Sequence, residues 1–269
     1  MTSRYLVAVD GSRPAAAALR WAVGRAASDG NPLVLAHVLD DEAGAIGTDD
    51  EAARKGAQLL AETAARLSAE HPGIAISTRL LSGSVPRALA SFADPEDMLV
   101  IGTGKTGFLH GRVLGARSVQ IAMAASCSVA VIPDVDLRFR RGVVAGVDRH
   151  STAAAIGHSA AVEAASRGEE LLLLQAAPDR STRLTPTARA DLAIGEAIAE
   201  AREVFPELVI RSRVAARPPA EALLDSARDK ALLVLGPGSL EPVRSSIGSV
   251  VHDVLLNANA PVLISRAAG

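Results

Sequence analysis

The chain of 269 residues repeats itself, because the same apolar runs occur twice and in the same order. An internal repeat of this length constrains the fold more than any single motif, since both copies must adopt one architecture. The first apolar run of each copy ends in an aspartate, Asp10 or Asp148, and an alanine-rich stretch follows each. The matching segments are RYLVAVD (4–10) with GVVAGVD (142–148), DMLVIG (97–102) with ALLVLG (231–236), and SVAVIP (128–133) with PVLISR (261–266).

The segment between the copies, near residues 134–141, carries charge and no apolar period, which is typical of a short linker. We therefore predict two domains, at residues 1–134 and 141–269. Asp10 and Asp148 lie 138 positions apart, whereas Gly102 and Gly236 lie only 134 apart. The second copy has therefore lost a few residues, and such losses belong in loops.

Within each copy, short apolar runs alternate with helical patterns. Such alternation predicts an α/β fold with a parallel sheet covered on both faces. We expect two tandem, doubly wound, Rossmann-like domains, each with five parallel strands in the order 3-2-1-4-5. That order places a ligand crevice at the carboxyl ends of strands one and four. In the first copy we predict strands near 4–9, 33–38, 74–82, 97–102 and 128–132, and helices near 13–29, 50–70, 84–93 and 115–125.

Strand one ends at Asp10, and Gly11 and Ser12 then give a tight exit into a helix. A carboxylate at this place has two interpretations. It can serve as a turn or helix-cap group. It can also accept hydrogen bonds from a purine amine or a ribose hydroxyl. The aspartate recurs at Asp148, which favours the second interpretation slightly.

The loop after strand four, GTGKTG, resembles the phosphate-binding loop of an ATPase, but the spacing excludes that motif. A Walker loop ending in Gly104 and Lys105 would need its opening glycine at position 99, which is Leu99. The short loop can still offer backbone N–H groups to an anion at Gly102 and Gly104. Lys105 could add a point charge and Ser118 a hydroxyl. Alternatively, its basic residues (Lys105, His110, Arg112 and Arg117) only solvate an exposed loop.

VAVDGS at the end of strand one, ALRWA in the following helix, His37 at the end of strand two and a glycine loop ending in G-x-x-S resemble the universal stress protein family. The resemblance covers both copies. It implies a stress-response protein with adenine nucleotide, ATP with or without Mg²⁺, lying across the crevice. Signalling would then pass through partner proteins rather than through catalysis.

The resemblance also assigns site residues in the first copy. Asp10 matches the family's adenosine-contacting aspartate, and Val38 the residue whose backbone meets adenine. Gly102 and Gly115 match two glycines of the phosphate loop, and Ser118 matches its second hydroxyl. The copy departs from the pattern at Lys105, where the middle glycine is expected, and at Ala116, where Ser or Thr is expected.

The second copy departs from the pattern differently. Asp148, Gly236, Gly248 and Ser249 match, but Ser239 replaces the middle glycine and Val251 the second hydroxyl. Glu241 also lies in this loop, where an acidic side chain disfavours phosphate. If only one copy binds nucleotide, we therefore expect the first.

Composition excludes several classes of function. A net charge of -2 with interspersed signs, and only one Trp, one Tyr and four Phe, argue against nucleic acid and an anionic membrane surface as partners. One cysteine, Cys127, cannot form an internal disulfide, and no long apolar run is present, so we expect a cytoplasmic protein. No catalytic motif or metal-spaced cluster occurs. We predict a non-catalytic protein and leave ATP hydrolysis open as a third class.

Two hypotheses remain open from the sequence. The first is the nucleotide-binding stress protein, and the second is an interaction or assembly protein of the same fold that has abandoned nucleotide. They differ at Lys105, Ala116 and Ser239. By the resemblance, the final strands, near residues 132 and 264, are apolar edges that could pair within one chain, and a homodimer is also open.

Overall fold

The computed structural model of this chain describes residues 2–40, 49–104, 108–109, 112–113, 116–148, 150–176, 186–238 and 248–266. These residues divide after Asp134 into two compact units. Each unit contains a five-stranded parallel sheet covered by helices. None of the described helices is both long and apolar enough to cross a membrane.

In the first unit, the parallel strands lie in the order β3-β2-β1-β4-β7, which confirms the predicted order 3-2-1-4-5. A two-residue antiparallel pair, β5 with β6, lies within the glycine loop, where the sequence predicted no strand. The elements are β1 (Tyr5–Ala8), α1 (Arg13–Asp29), β2 (Leu33–Leu39), α2 (Asp49–Glu70), β3 (Ile76–Ser82), α3 (Val85–Phe92), β4 (Met98–Thr103), β5 (Phe108–Leu109), β6 (Arg112–Val113), α4 (Ala116–Ala124) and β7 (Ser128–Pro133).

The second unit repeats this topology, with its strands in the order β10-β9-β8-β11-β12 and all four neighbouring pairs parallel. The repeated sequence pattern therefore corresponds to a repeated fold. The elements are β8 (Val143–Gly146), α5 (His150–Arg167), β9 (Leu171–Ala176), α6 (Pro186–Val204), β10 (Ile210–Ala215), α7 (Pro219–Ala227), β11 (Leu232–Leu235), α8 (Ser249–Leu256) and β12 (Val262–Ile264).

Burial of the strands explains their sequences. Strands β1 and β4 are central, and Tyr5, Leu6, Leu99 and Val100 are fully buried. Because helices cover both faces of such a strand, nearly every residue can be apolar. Strand β3 lies at the edge of the sheet, and its residues are exposed or half-buried.

Helix α1 begins and ends where its sequence predicts. The Ser12 hydroxyl accepts a hydrogen bond from the Ala15 N–H at 3.2 Å, and Pro14 lies in the first turn. Gly30 ends the helix with φ of 77°, a left-handed conformation that costs glycine little. Helix α1 therefore begins three residues after Asp10, at the carboxyl end of β1.

Two polar clusters stabilise the amino end of the first sheet, opposite the predicted crevice. The fully buried Asp97 carboxylate accepts hydrogen bonds from Ser3 Oγ (3.0 Å), Arg4 Nε (2.8 Å) and the Asp94 N–H (2.8 Å). These bonds compensate for burying a charge. The second cluster is Tyr5, whose hydroxyl donates to Asp29 and accepts from Arg25 Nε at 3.2 Å.

Candidate functional site

The candidate site lies at the carboxyl ends of β1 and β4. These strands pair directly, with Tyr5 opposite Met98 and Val7 opposite Val100. Strand β1 also pairs with β2 on its other side, and β4 pairs with β7. The sheet is therefore extended in opposite directions from β1 and β4. Asp10 and the glycine loop therefore follow adjacent strand ends, as parallel topology requires.

Asp10 is exposed, and its carboxylate has a defined position. Oδ1 accepts a hydrogen bond from the Ser12 N–H at 2.9 Å. Gly11 between them has φ of 78°, which favours glycine. The turn interpretation of Asp10 is supported because Oδ1 holds the turn. The ligand interpretation is also supported, because among the described residues the carboxylate makes no further hydrogen bond. Oδ2 can accept a donor from a ligand.

Gly102 is required by packing. A Cβ added there would lie 2.2 Å from the Pro14 carbonyl carbon and 2.6 Å from the Ala15 nitrogen. Backbone atoms of α1 cannot retreat without moving the helix, so only glycine fits. Gly104, by contrast, is exposed, and an added Cβ would meet nothing within 4 Å.

An ion pair crosses this edge of the first unit. Arg117, in the first turn of α4, donates from Nη2 to Asp40 Oδ2 at 2.8 Å. Asp40 directly follows β2 and its side chain is only 14% exposed, while that of Arg117 is 66% exposed. Arg117 therefore does more than solvate a loop. Asp40 is not among the residues predicted for the site, although its place directly after a strand end was the signal that could have identified it.

Ser118 and Val38 occupy the elements predicted for them. Ser118 lies in α4 but is only 3% exposed, so its hydroxyl is not on the surface in this structure. Val38 lies in β2, half-buried and opposite Leu81. Beside it, His37 Nδ1 lies 2.7 Å from the Val9 carbonyl oxygen, so a backbone group satisfies this histidine. Lys105 and Gly115 lie outside the described residues.

The corresponding edge of the second unit differs in its glycines. The surroundings of Gly236 leave more room for a side chain than those of Gly102. An added Cβ would lie 3.2 Å from the Ile156 side chain, which is flexible, and not against helix backbone. Gly238 has φ of 66°, and its added Cβ would lie 3.0 Å from the Cα of Gly248. The Gly248 N–H donates to the Pro237 carbonyl at 3.1 Å. The two ends of this loop are therefore held together.

The remaining second-unit candidates also lie at this edge. Asp148 follows β8, is exposed and already engages another group of the protein. Ser249 is the exposed first residue of α8, and Val251 is buried. Ser239 and Glu241 lie outside the described residues. Among described positions, no three His, Cys, Asp or Glu side chains group as metal ligands.

The candidate site of the first unit contains three groups that a ligand could contact. They are the free Oδ2 of Asp10, the exposed Gly104, and Arg117, which one carboxylate holds. Carboxylates bind hydroxyl and amine donors, and arginine binds phosphate oxygens. The start of α4 adds the positive potential of a helix amino end. The arrangement is suited to recognising a small ligand with an anionic end.

Comparison with known proteins gives a consistent result. The sequence model of the Universal stress protein family matches residues 1–133 and again residues 140–266. A universal stress protein of Mycolicibacterium smegmatis is 28% identical over 284 residues, which cover 97% of this chain and 96% of that protein. One from Mycobacterium tuberculosis is 26% identical over 288 residues, with 97% and 96% covered. The crystal structure of a universal stress protein from Archaeoglobus fulgidus shares the fold, with a TM-score of 0.74, 17% identity and 98% and 97% covered.

Proposed function

Because this chain belongs to the universal stress protein family, which its sequence matches once in each half, we propose that it is a stress-response protein whose first unit binds an adenine nucleotide. Binding would alter the affinity of the protein for partners and would not lead to a chemical reaction. We place this function in the cytoplasm.

The observation that carries the proposal is the state of the Asp10 carboxylate. Oδ1 is fixed by the Ser12 N–H at 2.9 Å, and Oδ2 has no partner among the described residues. The oxygen is therefore pre-oriented at a strand end before any ligand arrives. A ribose hydroxyl would donate to it, with little ordering left to oppose binding.

The anionic end of the nucleotide has candidate partners on the other side of the crevice. Arg117 can bond to phosphate oxygens when it leaves Asp40, and exposed Gly104 allows close approach to the backbone. These residues fit a phosphate group. Mg²⁺ would enter with the nucleotide, held mainly by its phosphates and by water.

The two units differ in ways that favour the first. Asp148, the counterpart of Asp10, already has an interaction within the protein. In the sequence, the glycine loop of the first copy contains Lys105, and that of the second copy contains Glu241. Attraction of phosphate is therefore stronger at the first unit.

The test is the nucleotide content of the protein. Chain purified without added ligand is denatured, released adenine nucleotide is quantified by chromatography, and the emptied protein is titrated with ATP by calorimetry. We expect about one nucleotide per chain. Asp10→Ala should weaken binding at least about tenfold, because it removes hydrogen bonds to a charged group. Asp148→Ala is the matched control and should bind like the parent chain.

A second candidate function is an interaction or assembly protein that binds no nucleotide. Packing alone accounts for Gly102, and Arg117 already has a carboxylate partner. No released nucleotide and no binding at millimolar ATP would exclude the first proposal in favour of this one. Equal losses in Asp10→Ala and Asp148→Ala would instead indicate two sites. Pairing of the final strands within one chain stays a prediction.

A further inference from the structure

Arg13, the first residue of α1, carries an exposed guanidinium that the candidate site has not yet used. Its side chain is 90% exposed, and its Nε lies 3.2 Å from Asp134 Oδ2. Within the described part of the chain, the guanidinium forms no other hydrogen bond or ion pair. Ion pairs this exposed are weak, so a stronger partner can take the arginine from Asp134.

The strand order determines where this guanidinium lies. Asp134 directly follows β7, and β7 pairs with β4. The first turn of α1 lies against the end of β4, since an added Cβ at Gly102 would meet the Pro14 carbonyl carbon at 2.2 Å. Arg13 therefore lies on the β4–β7 side of the crevice, beside the start of the glycine loop.

The carboxyl edge of the first sheet carries two arginine–carboxylate pairs, one on each side of the crevice. Arg117 is held by Asp40, which follows β2, and Arg13 is held by Asp134, which follows β7. Asp10 follows β1, between the two pairs. Neighbouring strands are about 4.8 Å apart, so β7 lies roughly 10 Å from β1 across the sheet. A ligand held at Asp10 has to extend past β4 to meet Arg13.

This geometry distinguishes nucleotides by the number of their phosphate groups. The inference rests on the proposed function, in which the ribose lies at Asp10. One phosphate group extends a ligand by less than a strand spacing, so AMP would end over β4. The two further groups of ATP would continue towards β7. We propose that Arg13 exchanges Asp134 for the outermost phosphate of the nucleotide, and that this contact makes the first unit select ATP over AMP.

A phosphate group is a better partner for Arg13 than Asp134 is. It has more negative charge and more acceptor oxygens than a carboxylate, and the planar guanidinium can bind two of its oxygens at once. The Asp134 side chain is 28% exposed, so it keeps contact with water when Arg13 leaves. The exchange therefore leaves no buried charge without a partner, which is the situation that makes broken ion pairs costly.

The second copy lacks both members of this pair. In the repeat, Ser151 occupies the position of Arg13, counted from the matching aspartates, and Ala267 occupies that of Asp134, counted from the matching final segments. A pair that served only the shared fold would be expected in both copies. Its restriction to the first copy indicates a task of the first unit alone, which is the unit where we place the nucleotide.

Calorimetric titration with ATP and with AMP, in one buffer, tests the proposal. We expect the parent chain to bind ATP at least about tenfold more tightly than AMP. Arg13→Ala should weaken ATP binding about tenfold and leave AMP binding unchanged, because only the outermost phosphate meets this residue. Arg20→Ala removes another exposed arginine of α1 and is the matched control, which should bind both ligands like the parent chain.

Asp134→Asn separates phosphate binding from a structural role of the pair. If Arg13 binds phosphate, its release from Asp134 should tighten ATP binding roughly threefold to fivefold and leave AMP binding unchanged. If the pair only holds α1 to the end of β7, Asp134→Asn and Arg13→Ala should instead weaken both nucleotides alike. The two variants therefore move ATP affinity in opposite directions only when the arginine contacts the ligand.

Three results would overturn the proposal: a parent chain that binds AMP as tightly as ATP, an Arg13→Ala variant that keeps the preference for ATP, or an Asp134→Asn variant whose ATP affinity does not rise. In each of them the parent chain still binds nucleotide, so the proposed function stands while the role of Arg13 fails. A parent chain that binds neither ATP nor AMP removes both.

Discussion

Arg117 Nη2 lies 2.8 Å from Asp40 Oδ2, so one ion pair joins the start of α4 to the end of β2. An ion pair with an exposed arginine contributes up to about 1 kcal/mol. A phosphate group, with more charge and more acceptor oxygens than a carboxylate, can displace Asp40 from Arg117. The pair therefore holds the arginine in place without locking it.

Asp40→Asn should increase the affinity of the first unit for ATP by roughly threefold to fivefold, the factor that corresponds to an ion pair whose arginine is exposed. The substitution releases Arg117 and removes a negative charge near the phosphates. Calorimetric titration measures the effect. Glu70→Gln breaks the exposed pair with Arg66 on α2 and is the control. Unchanged or weaker binding in Asp40→Asn would show that Arg117 does not reach the phosphate.

The two loop glycines should respond differently to alanine. Gly102→Ala should lower the free energy of unfolding by about 3 kcal/mol, because its Cβ meets the α1 backbone. Gly236→Ala should cost about 1 kcal/mol or less, since the Ile156 side chain can rotate away. Urea denaturation followed by circular dichroism compares them. Similar costs would contradict the packing account.

Asp97 should be the more important of two carboxylates that contact Arg4. It is fully buried, whereas the Asp94 side chain is 73% exposed. Asp97→Ala leaves Arg4 Nε, the Ser3 hydroxyl and the Asp94 N–H without their acceptor, and should cost about 3 kcal/mol of unfolding free energy. Asp94→Ala should cost about 0.5 kcal/mol. Thermal and chemical denaturation of both variants measure the difference, and equal costs would disprove it.

Tyr5 should make stability fall at alkaline pH. Burial raises the pKa of its hydroxyl above the usual 10.0, partly opposed by the nearby Arg25 charge. The unfolded chain loses this proton at a lower pH than the native one, so native stability declines as pH rises above about 10. The chain has one tyrosine, so near-ultraviolet absorbance follows its ionisation directly. Tyr5→Phe should remove this part of the slope, and an unchanged slope would argue against it.

Asp136 should titrate far below an ordinary aspartate. Hydrogen bonds from the Arg138 side chain and backbone lower its pKa from 3.8 to about 2. Carboxyl-detected NMR of the native chain measures this value. In Arg138→Ala the pKa should rise towards the ordinary range, because the guanidinium bonds are gone. A value near 3.8 in the parent chain would mean that Arg138 does not hold the Asp136 carboxylate in solution.

Much of the fold could be predicted because buried parallel strands leave a strong pattern. The runs around Val7 and Val100 are apolar throughout, and the repeat gave each strand a second observation. The pair β5–β6 was not predicted, since strands of two residues have no measurable alternation.

The candidate site was predictable only in outline. Topology placed Asp10 beside the glycine loop, because strand order determines which ends are adjacent. The Arg117–Asp40 pair joins residues 77 positions apart, and no local pattern marks such a contact. The role of Gly102 also escaped sequence reasoning. A sequence motif attributes the glycine to ligand binding. The steric reason for Gly102 is the close approach of α1, which only the three-dimensional structure shows.

The close approach of α1 to Gly102 also affects how relatives can be compared. A lineage that stopped binding nucleotide would still keep this glycine, because the helix would clash with any side chain there. Its retention records the architecture rather than the ligand. Positions such as Gly104, where an added Cβ would meet only open space, are free to drift once the ligand is lost. Those positions, rather than Gly102, therefore record whether nucleotide binding was kept.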